Sequence, residues 1–325
     1  MTPVPARPHS RAADIDVTPD RPVSDLLASD YPGSYDAGMR RLPEPPAWAQ
    51  PLPVADPPAD LAVYQLPTGT YETPAALAVR GGSFRDRRHF AASAILVLHP
   101  KGDLLVDSGF GADLPAHLAM LPRFMRSRHQ VGRTVREQLD AGGYDHRRLI
   151  GVVLTHSHWD HASGLDSLRD TPIWMNAYER SHASQHWDGK VFRHVARGHE
   201  IHDYGFDAYP YLGFPSSHDV HGDGSVVIVH AGGHTAGSVI VFVTLPAGPR
   251  YAFIGDLTWQ LDGIQRRVER PWLMSRVADH DARRVRRDLL RMIALETMIH
   301  IVPAHDLRAY DGIPRLVPEP TAPTA

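Results

Sequence analysis

An apolar stretch at residues 149–154 leads directly into His156, His158, Asp160 and His161, four metal-binding residue types within six positions. The stretch is typical of a strand buried on both faces of a sheet. The polar side chains therefore emerge at the carboxyl end of a strand, where sites in α/β proteins usually form. Their removal from water would be unfavourable unless a cation bound them. The segment predicts a sheet with a metal site at one edge.

The spacing within this segment separates the four side chains into two pairs. Residues i and i+2 of an extended backbone point the same way, so His156 and His158 can reach one ion. Asp160 and His161 follow where the chain turns into a helix, and their side chains suit a second ion nearby. Because the chain contains no cysteine, every ligand must offer nitrogen or oxygen.

The rest of the chain alternates strand and helix patterns. Turn signals at Pro100-Lys101-Gly102-Asp103 and at Pro246-Ala247-Gly248-Pro249 predict two hairpins. The predicted strands are 93–98, 104–106, 149–154, 226–229, 238–244, 251–254 and 299–302, and the predicted helices are 131–141, 163–169 and 281–297. This order predicts an α/β domain with a mixed sheet and helices outside it.

Residues 1–58 differ in composition from the remainder. They contain 13 of the 29 prolines and show no sustained helix or strand period. We interpret them as a Pro-rich N-terminal arm, which is either disordered or packed on the domain or a partner subunit through Tyr31, Tyr35 and Trp48. The predicted organisation is this arm, a single folded domain at residues 59–316 and a C-terminal tail at residues 317–325.

Charge and hydropathy restrict the partners of the chain. The formal net charge is −3, which gives no general attraction to nucleic acid or to an anionic membrane. No apolar run approaches the roughly 20 residues of a spanning helix, and the N-terminus lacks the apolar region of a signal peptide. We therefore expect a cytoplasmic protein without a membrane or nucleic-acid partner. A homodimer is compatible with the sequence.

The order His-x-His-x-Asp-His after an apolar strand resembles the metallo-β-lactamase superfamily of di-metal hydrolases. That family has three further ligands, each at the end of a strand, and the sequence has a matching residue at each place. His234 lies in Gly233-His234-Thr235-Ala236-Gly237-Ser238, Asp256 in Phe253-Ile254-Gly255-Asp256, and His305 in Ile301-Val302-Pro303-Ala304-His305. The resemblance covers about residues 60–315 and implies an αββα sandwich as the catalytic domain.

The resemblance also implies a ligand set. His156, His158 and His234 would bind the first metal ion, Asp160, His161 and His305 the second, and Asp256 would bridge both. Imidazole and carboxylate ligands suit zinc, with iron, manganese and cobalt as alternatives. Asp107, in Val106-Asp107-Ser108-Gly109, matches a family element and is expected to orient a ligand histidine by a hydrogen bond. A simple turn residue is the alternative for Asp107.

Within the superfamily, the sequence resembles the N-acyl homoserine lactone lactonases most. The implied reaction is attack on a lactone or ester by a hydroxide shared between two metal ions, with Asp160 or Asp256 passing the proton to the leaving alkoxide. The alternatives are an aryl-ester or phosphotriester hydrolase and a glyoxalase II-like thioesterase. Trp259 stands where the better-known lactonases have a tyrosine that helps to hold the substrate carbonyl, and an indole N–H can only donate a hydrogen bond.

Large aromatic residues in the segments after His161 and after Asp256 are candidates for a substrate pocket, with core packing as the alternative for each. These candidates are Trp187, Tyr209, Tyr211, Phe214, Trp259 and Trp272. His182 and His186 fall outside the ligand pattern and are interpreted as surface residues.

An arginine cluster lies on the predicted helix 281–297. We interpret it as a solvated helix face, and a nucleic-acid-processing member of the family is the alternative. The cluster consists of Arg283, Arg284, Arg286, Arg287 and Arg291. A non-catalytic binding member is a further alternative, against which the complete ligand set argues.

Overall fold

The computed structural model describes residues 41–126 and 128–317. The expectations for Tyr31 and Tyr35, and for nearly all of the C-terminal tail, lie outside these residues. No helix among the described residues is both long enough and apolar enough to cross a membrane.

The first sheet has seven strands in the order β4-β1-β2-β3-β5-β6-β7. Its strands are β1 (Ala62–Pro74), β2 (Arg87–Leu98), β3 (Asp103–Val106), β4 (His129–Val131), β5 (Leu149–Val153), β6 (Ile173–Met175) and β7 (Ile201–Asp203). Strands β4, β1, β2 and β3 pair antiparallel, and β3, β5, β6 and β7 pair parallel. The carboxyl ends of β3 and β5 therefore meet at one edge of the sheet.

The second sheet has five strands in the order β12-β11-β10-β9-β8. Its strands are β8 (Ser217–Asp219), β9 (Val226–His230), β10 (Val239–Thr244), β11 (Arg250–Phe253) and β12 (His300–Val302). All neighbours are antiparallel except β11 and β12, which are parallel. Both predicted hairpins, β2–β3 and β10–β11, are confirmed.

Helices cover the outer faces of the two sheets. The α-helices are α1 (Ala75–Ala78), α2 (Leu114–Ala119), α3 (Val135–Ala141), α4 (Trp159–Ala162), α5 (Ala177–Gln185), α6 (Lys190–Val195), α7 (Asp262–Gln265), α8 (Trp272–Ala278) and α9 (Ala282–Leu295). Short 3₁₀ turns occur at Arg123–Met125, His146–Arg148, Ser163–Ser167 and Leu307–Tyr310.

The alternation of side chains along each strand divides the core into three layers. In β2, Ala94 and Leu96 pack outward in one cluster with the helices, whereas Ile95 packs inward between the sheets. In β10, Val241 points between the sheets and Phe242 packs outward in the cluster that contains one face of α9. Two sheets packed face to face with helices outside are the predicted αββα sandwich.

Two predicted helices differ from the observed elements. The predicted helix 131–141 begins only at Val135, because Thr134 caps it through a capping box with Glu137. The preceding residues, His129–Val131, pair with β1 instead. The predicted helix 163–169 is a 3₁₀ turn, in which the backbone N–H of Gly164 donates to Gly109 O at 2.9 Å rather than along a helix.

The described end of the N-terminal arm contacts the second sheet layer. Leu42 is buried in the outer cluster of that layer, and Trp48 and Leu52 pack against the same cluster. Backbone hydrogen bonds join Leu42 N to Arg267 O at 2.6 Å and Trp48 N to Ala294 O at 3.2 Å. No helix or strand forms between residues 41 and 58.

Candidate metal centre

The loops that follow β5, β9, β11 and β12 meet at one edge of the sandwich. The N–H of Val239, at the start of β10, donates to Thr155 O at 2.9 Å and so links the two sheets there. On the other side of the edge, Ala304 N donates to Gly255 O at 3.2 Å. The segments with the predicted ligands are thereby held against one another, although they are far apart in the sequence.

The predicted ligands form two groups. The first comprises His156, His158, His234 and Asp256, and the second comprises Asp160, His161 and His305; within each group, one candidate ligand atom of every residue lies within 4.8 Å of the others. All of these residues except the half-buried His158 are buried. The structure therefore brings together all seven residues that the sequence pattern selected.

The carboxylate of Asp256 lies between the two groups. Its Oδ1 is 3.2 Å from His161 Nε2 and 3.0 Å from His305 Nε2. Its Oδ2 is 3.3 Å from His234 Nε2 and 3.7 Å from His156 Nε2. Each oxygen thus faces the imidazoles of one group, which is the arrangement that a bridging carboxylate requires.

The outer ring nitrogen of each histidine contacts a hydrogen-bonding group. The contacts are His156 Nδ1 with Thr155 Oγ1 at 3.2 Å, His158 Nε2 with Asp188 Oδ2 at 3.3 Å, His161 Nδ1 with Asp107 Oδ2 at 2.7 Å, His234 Nδ1 with Asp279 Oδ1 at 3.1 Å, and His305 Nδ1 with Ala91 O at 2.7 Å. An imidazole whose outer nitrogen donates a proton keeps a lone pair on its inner nitrogen. The rings are therefore oriented to coordinate a cation between them.

Asp107 adopts a left-handed backbone conformation with φ of 60°. This conformation is uncommon for residues other than glycine, asparagine and aspartate. It allows the carboxylate to accept hydrogen bonds from Thr155 N at 2.7 Å and Thr155 Oγ1 at 2.8 Å as well as to contact His161. Asp107 thus connects the end of β3 to the loop after β5 and holds the ring of His161.

Two atoms of the cluster test whether metal ions fit here. His156 Nε2 and Asp256 Oδ1 are buried, and neither has a hydrogen-bond partner among the described residues. Buried polar atoms without partners are rare, because each loses its interactions with water on folding. Divalent cations would satisfy both atoms, and a donor set of nitrogen and oxygen suits zinc, iron, manganese or cobalt.

The charges of the cluster also favour cations. Burial by itself would raise the pKa of Asp256, but the imidazoles of His305 and His161 hold that pKa well below its usual value. Asp256 is therefore ionised. Conversely, burial lowers the pKa of His156 well below its usual value, and this ring is neutral. Asp256 and His156 thus have the protonation states that metal coordination needs. The nearby carboxylates raise the pKa of His161 and His305 against the effect of burial, so a cation at the second group would displace protons from these rings.

Glu179, which the sequence pattern did not select, joins the two loops that carry the three histidines of the first group. Its Oε1 accepts from Ser157 N at 2.7 Å and Ser157 Oγ at 2.6 Å. Its Oε2 accepts from Thr235 Oγ1 at 2.6 Å and Gly237 N at 3.1 Å. The pattern Asn176-x-x-Glu179 signals the start of α5, but no local signal places the carboxylate between Ser157 and Thr235.

Tyr71, on β1, is a second residue that the sequence reasoning missed. Its hydroxyl donates to Asp160 Oδ2 at 2.7 Å, and its ring contacts that of His305 edge-on at 5.6 Å. Burial, together with the charges of Asp160 and Asp256, raises the pKa of Tyr71 well above its usual value. The phenol therefore stays protonated and remains a donor to Asp160.

Replacement of Tyr71 by phenylalanine is expected to lower kcat about tenfold, since groups that hold a metal ligand typically contribute tenfold to a hundredfold to metal affinity or activity. The hydrogen bond to Asp160 would be lost while the ring would still pack. Steady-state hydrolysis at saturating metal measures the effect. Tyr64→Phe, on the same strand, is the matched control and should retain the parent rate. An unchanged kcat for Tyr71→Phe would contradict this role.

Trp259 contacts the centre through its indole N–H, which donates to Asp256 Oδ2 at 2.7 Å. The guanidinium of Arg270 lies over the indole ring at 4.6 Å. Arg270 also donates to the carbonyl oxygen of Asp256 and to Asp279. Trp259 and Arg270 therefore hold the carboxylate and backbone of Asp256, and the single donor of the indole is already used.

The other predicted pocket residues are either buried in the core or exposed to solvent. Tyr211 and Phe214 are buried in the outer core of the second sheet layer, where both rings pack on Phe242. Trp187, Tyr209 and Trp272 are exposed on the surface. Of the six predicted aromatics, Trp259 contacts the cluster directly, through the carboxylate of Asp256. Core packing, the alternative in the sequence analysis, applies to Tyr211 and Phe214.

His182 corrects another expectation. We expected a surface residue, but its side chain is buried, and its Nε2 lies 3.4 Å from Asp188 Oδ2. The reason is the packing of α5 against the loop that follows it, which places Asp188 between His182 and His158. His186 is exposed, as expected, and its ring stacks on that of His182 at 4.1 Å. Asp188 thus orients His158 and is itself held by His182.

The chain is similar in sequence to a known protein family and to two mycobacterial proteins. Residues 87–305 match the family model of the metallo-beta-lactamase superfamily. A protein of Mycobacterium tuberculosis named "probable metallo-hydrolase" is 27% identical over 233 residues, which cover 66% of this chain and 74% of that protein. A protein of Mycobacterium bovis with the same description gives the same figures.

Solved structures share the fold at low sequence identity. An N-acyl homoserine lactone hydrolase, with the product N-hexanoyl-L-homoserine at its catalytic metal centre, has a TM-score of 0.59 and 15% identity, covering 76% of this chain and 93% of its own. A dizinc quorum-quenching lactonase has a TM-score of 0.51 and 14% identity, covering 77% and 88%. Because the family model spans well over half of the sequence, the chain belongs to the metallo-beta-lactamase superfamily.

Proposed function

We propose that this protein is a dinuclear metal hydrolase that opens a lactone or a related carboxylic ester. One observation carries the proposal. The carboxylate of Asp256 lies between two groups of imidazoles, with one oxygen 3.0 Å from His305 Nε2 and the other 3.3 Å from His234 Nε2. His156, His158 and His234 would hold one ion, Asp160, His161 and His305 the other, and Asp256 both.

The broader class, a metal-dependent hydrolase, follows from the superfamily and from the His and Asp clusters. The mycobacterial relatives are named as metallo-hydrolases. The finer choice of a lactone rests on the fold, which is shared with lactone hydrolases, one of them a dizinc enzyme. We therefore propose a lactone as the first candidate among the possible substrates and zinc as the first candidate among the possible metals.

When bound, two divalent ions would supply an activated water molecule and would polarise the carbonyl oxygen of the substrate. Three residues of the chain would act together with these ions. Asp256 would hold both ions, Asp160 would pass a proton from the attacking water to the leaving alkoxide, and Tyr71 orients Asp160 through its hydroxyl. Trp259 acts on the substrate only through Asp256, because its N–H donates to that carboxylate.

Metal removal and a substrate panel test the proposal. Elemental analysis of the purified protein should find about two divalent ions per chain. Treatment with a chelator should abolish hydrolysis, and added zinc should restore it. A pH-indicator assay would compare N-acyl homoserine lactones of increasing chain length with aryl esters, a phosphotriester and a glutathione thioester. We expect lactones to react fastest.

The possible outcomes distinguish the proposal of a lactone substrate from the broader assignment as a metal-dependent hydrolase. Metal-dependent activity confined to activated aryl esters, the phosphotriester or the thioester would keep the hydrolase and reject the lactone. Retention of full activity by the metal-free protein, or failure to bind any metal after reconstitution, would reject the metal centre itself.

A further inference from the structure

A separate cavity of about 250 Å³ lies beside the β9–β10 turn, and none of the seven cluster residues lines it. We call it the arginine pocket. The aromatic and basic residues that matter for its chemistry are Tyr178, His230, His280, Arg284, Arg287 and Arg291. The three arginines are spaced three and four residues apart on α9 and therefore share one face of that helix.

The structure corrects the interpretation of these arginines as a solvated face. Only Arg283 is exposed, and Arg286 pairs with Glu269 at 2.7 Å. Arg291 is buried to 3% exposure of its side chain, donates to Asp288 and lies over the ring of Phe214 at 5.0 Å. Three of the five guanidinium groups thus turn inward toward a cavity instead of into water.

Positive charge exceeds negative charge in the pocket. Asp288 is buried among Arg284, Arg287 and Arg291, so one carboxylate faces three guanidinium groups. Asp281 is also near Arg284, but its Oδ1 caps the first turn of α9 by accepting from the backbone N–H groups of Arg283 and Arg284. The two carboxylates do not balance the three cations.

Two of the guanidinium groups have donors without acceptors. Arg284 Nε and Arg287 Nε are buried and have no hydrogen-bond partner among the described residues. The nearest carboxylate oxygen to Arg287 Nε is Asp288 Oδ1 at 3.5 Å, without hydrogen-bond geometry. A buried charged donor without an acceptor is unfavourable, and a bound anion is the usual remedy.

The imidazole ring of His230 forms one side of the pocket and is held by several contacts. Its Nε2 donates to Ala236 O at 2.9 Å, and its ring is stacked between Tyr178 at 4.9 Å and Phe206 at 5.5 Å. Burial and the charges of Arg284 and Arg287 lower the pKa of His230 to about 4. This side of the pocket is therefore neutral and aromatic, and the arginines of α9 supply positive charge to the pocket.

We propose that the arginine pocket is a binding site for the phosphate group of a small molecule. Guanidinium groups match phosphate oxygens with two parallel N–H donors, which makes arginine the preferred residue for such anions. The cavity is large enough for a phosphate group with a short organic substituent beside Tyr178. The site is distinct from the metal centre and does not depend on the proposed hydrolysis.

The pocket is connected to the metal centre through the backbone. His280, which lines the pocket, donates its N–H to His234 O at 2.9 Å, and Asp281 N donates to Gly233 O at 2.8 Å. A ligand in the pocket would therefore rest against the loop that carries His234. This contact is the physical route by which an occupant would influence the metal centre.

Calorimetry with inorganic phosphate on the metal-loaded protein tests the site. Arg284→Gln and Arg287→Gln should each weaken phosphate binding at the pocket by about tenfold or more, since each removes a charge-assisted hydrogen bond. Arg283→Gln, on the same helix but exposed, is the matched control and should bind as the parent does. Phosphate bound at the metal ions would be unaffected by all three substitutions and so appears as a separate, constant component.

The same experiment includes a control for correct folding of the variants and a control for the type of anion that binds. Arg284→Lys keeps the charge but loses the planar fork, so it should fold and bind phosphate with intermediate affinity. Acetate, at equal ionic strength, serves as the carboxylate probe. Phosphate affinity that is the same in the parent, Arg284→Lys and both glutamine variants would overturn the site. Acetate binding as tight as that of phosphate would overturn the assignment to phosphate.

Discussion

Asp256→Asn is expected to reduce hydrolysis by at least about a thousandfold, equivalent to roughly 4 kcal/mol of transition-state stabilisation. The amide keeps the size of the side chain but removes the charge that faces four imidazoles. It also replaces one of the two carboxylate oxygens by an NH₂ group, which cannot bind a cation. We expect the metal content to fall from about two ions per chain to one or none.

Elemental analysis and the pH-indicator assay on the same preparation measure both effects. Asp170→Asn, at an exposed position before β6, is the matched control and should leave rate and metal content unchanged. Circular dichroism separates loss of metal from loss of fold. A folded Asp256→Asn protein that retained two ions and the parent rate would exclude a bridging role for this carboxylate.

Glu179→Ala is expected to lower the free energy of unfolding by about 3–5 kcal/mol, because buried donors lose their shared acceptor. The carboxylate accepts four hydrogen bonds from two loops, and its removal leaves the N–H groups of Ser157 and Gly237 without their partners. Because these loops carry His156, His158 and His234, metal affinity should fall about tenfold to a hundredfold as well.

Urea unfolding and competition with a chromogenic chelator measure the two quantities. Glu200→Ala, at an exposed position before β7, is the matched control. Glu179→Gln should fall between Glu179→Ala and the parent, because one amide oxygen still accepts hydrogen bonds. Parent-like stability and metal affinity in Glu179→Ala would show that the two loops are held in place by other contacts.

The candidate ligands could be predicted because the resemblance to a known family implied them and because each follows a strand with a clear local pattern. The apolar residues of β5, β9, β11 and β12 mark buried strands, and the polar residue that ends each run marks the edge of a sheet. Helix ends were less predictable. Thr134 and Glu137 form a capping box that delays the start of α3, and this choice depends on pairing between β4 and β1.

Residues that orient the ligands could not be predicted in the same way. Tyr71 lies 89 positions before Asp160 in the sequence, and Glu179 lies 56 positions before Thr235. Neither has a local pattern that points to its partner. Tyr71 meets Asp160 through the strand order of the first sheet, and Glu179 meets Thr235 where the two layers pack. Asp188 reaches His158 because α5 packs against the loop that follows it.

The sequence by itself determined the α/β class, the absence of thiolate ligands and the metal-binding character of the segment after β5. The resemblance to a known family added the αββα arrangement and the full set of seven candidate ligands. The first group of results depends on short-range patterns of apolar and polar residues, because the alternation of a strand decides which side chains share a face and which residues stand at its end. The tertiary structure alone decided that Asp256 stands between two imidazole groups, that Trp259 is committed to Asp256, and that three arginines of α9 face a cavity. These depend on contacts between distant segments, and such contacts are fixed by how the layers pack rather than by any local pattern.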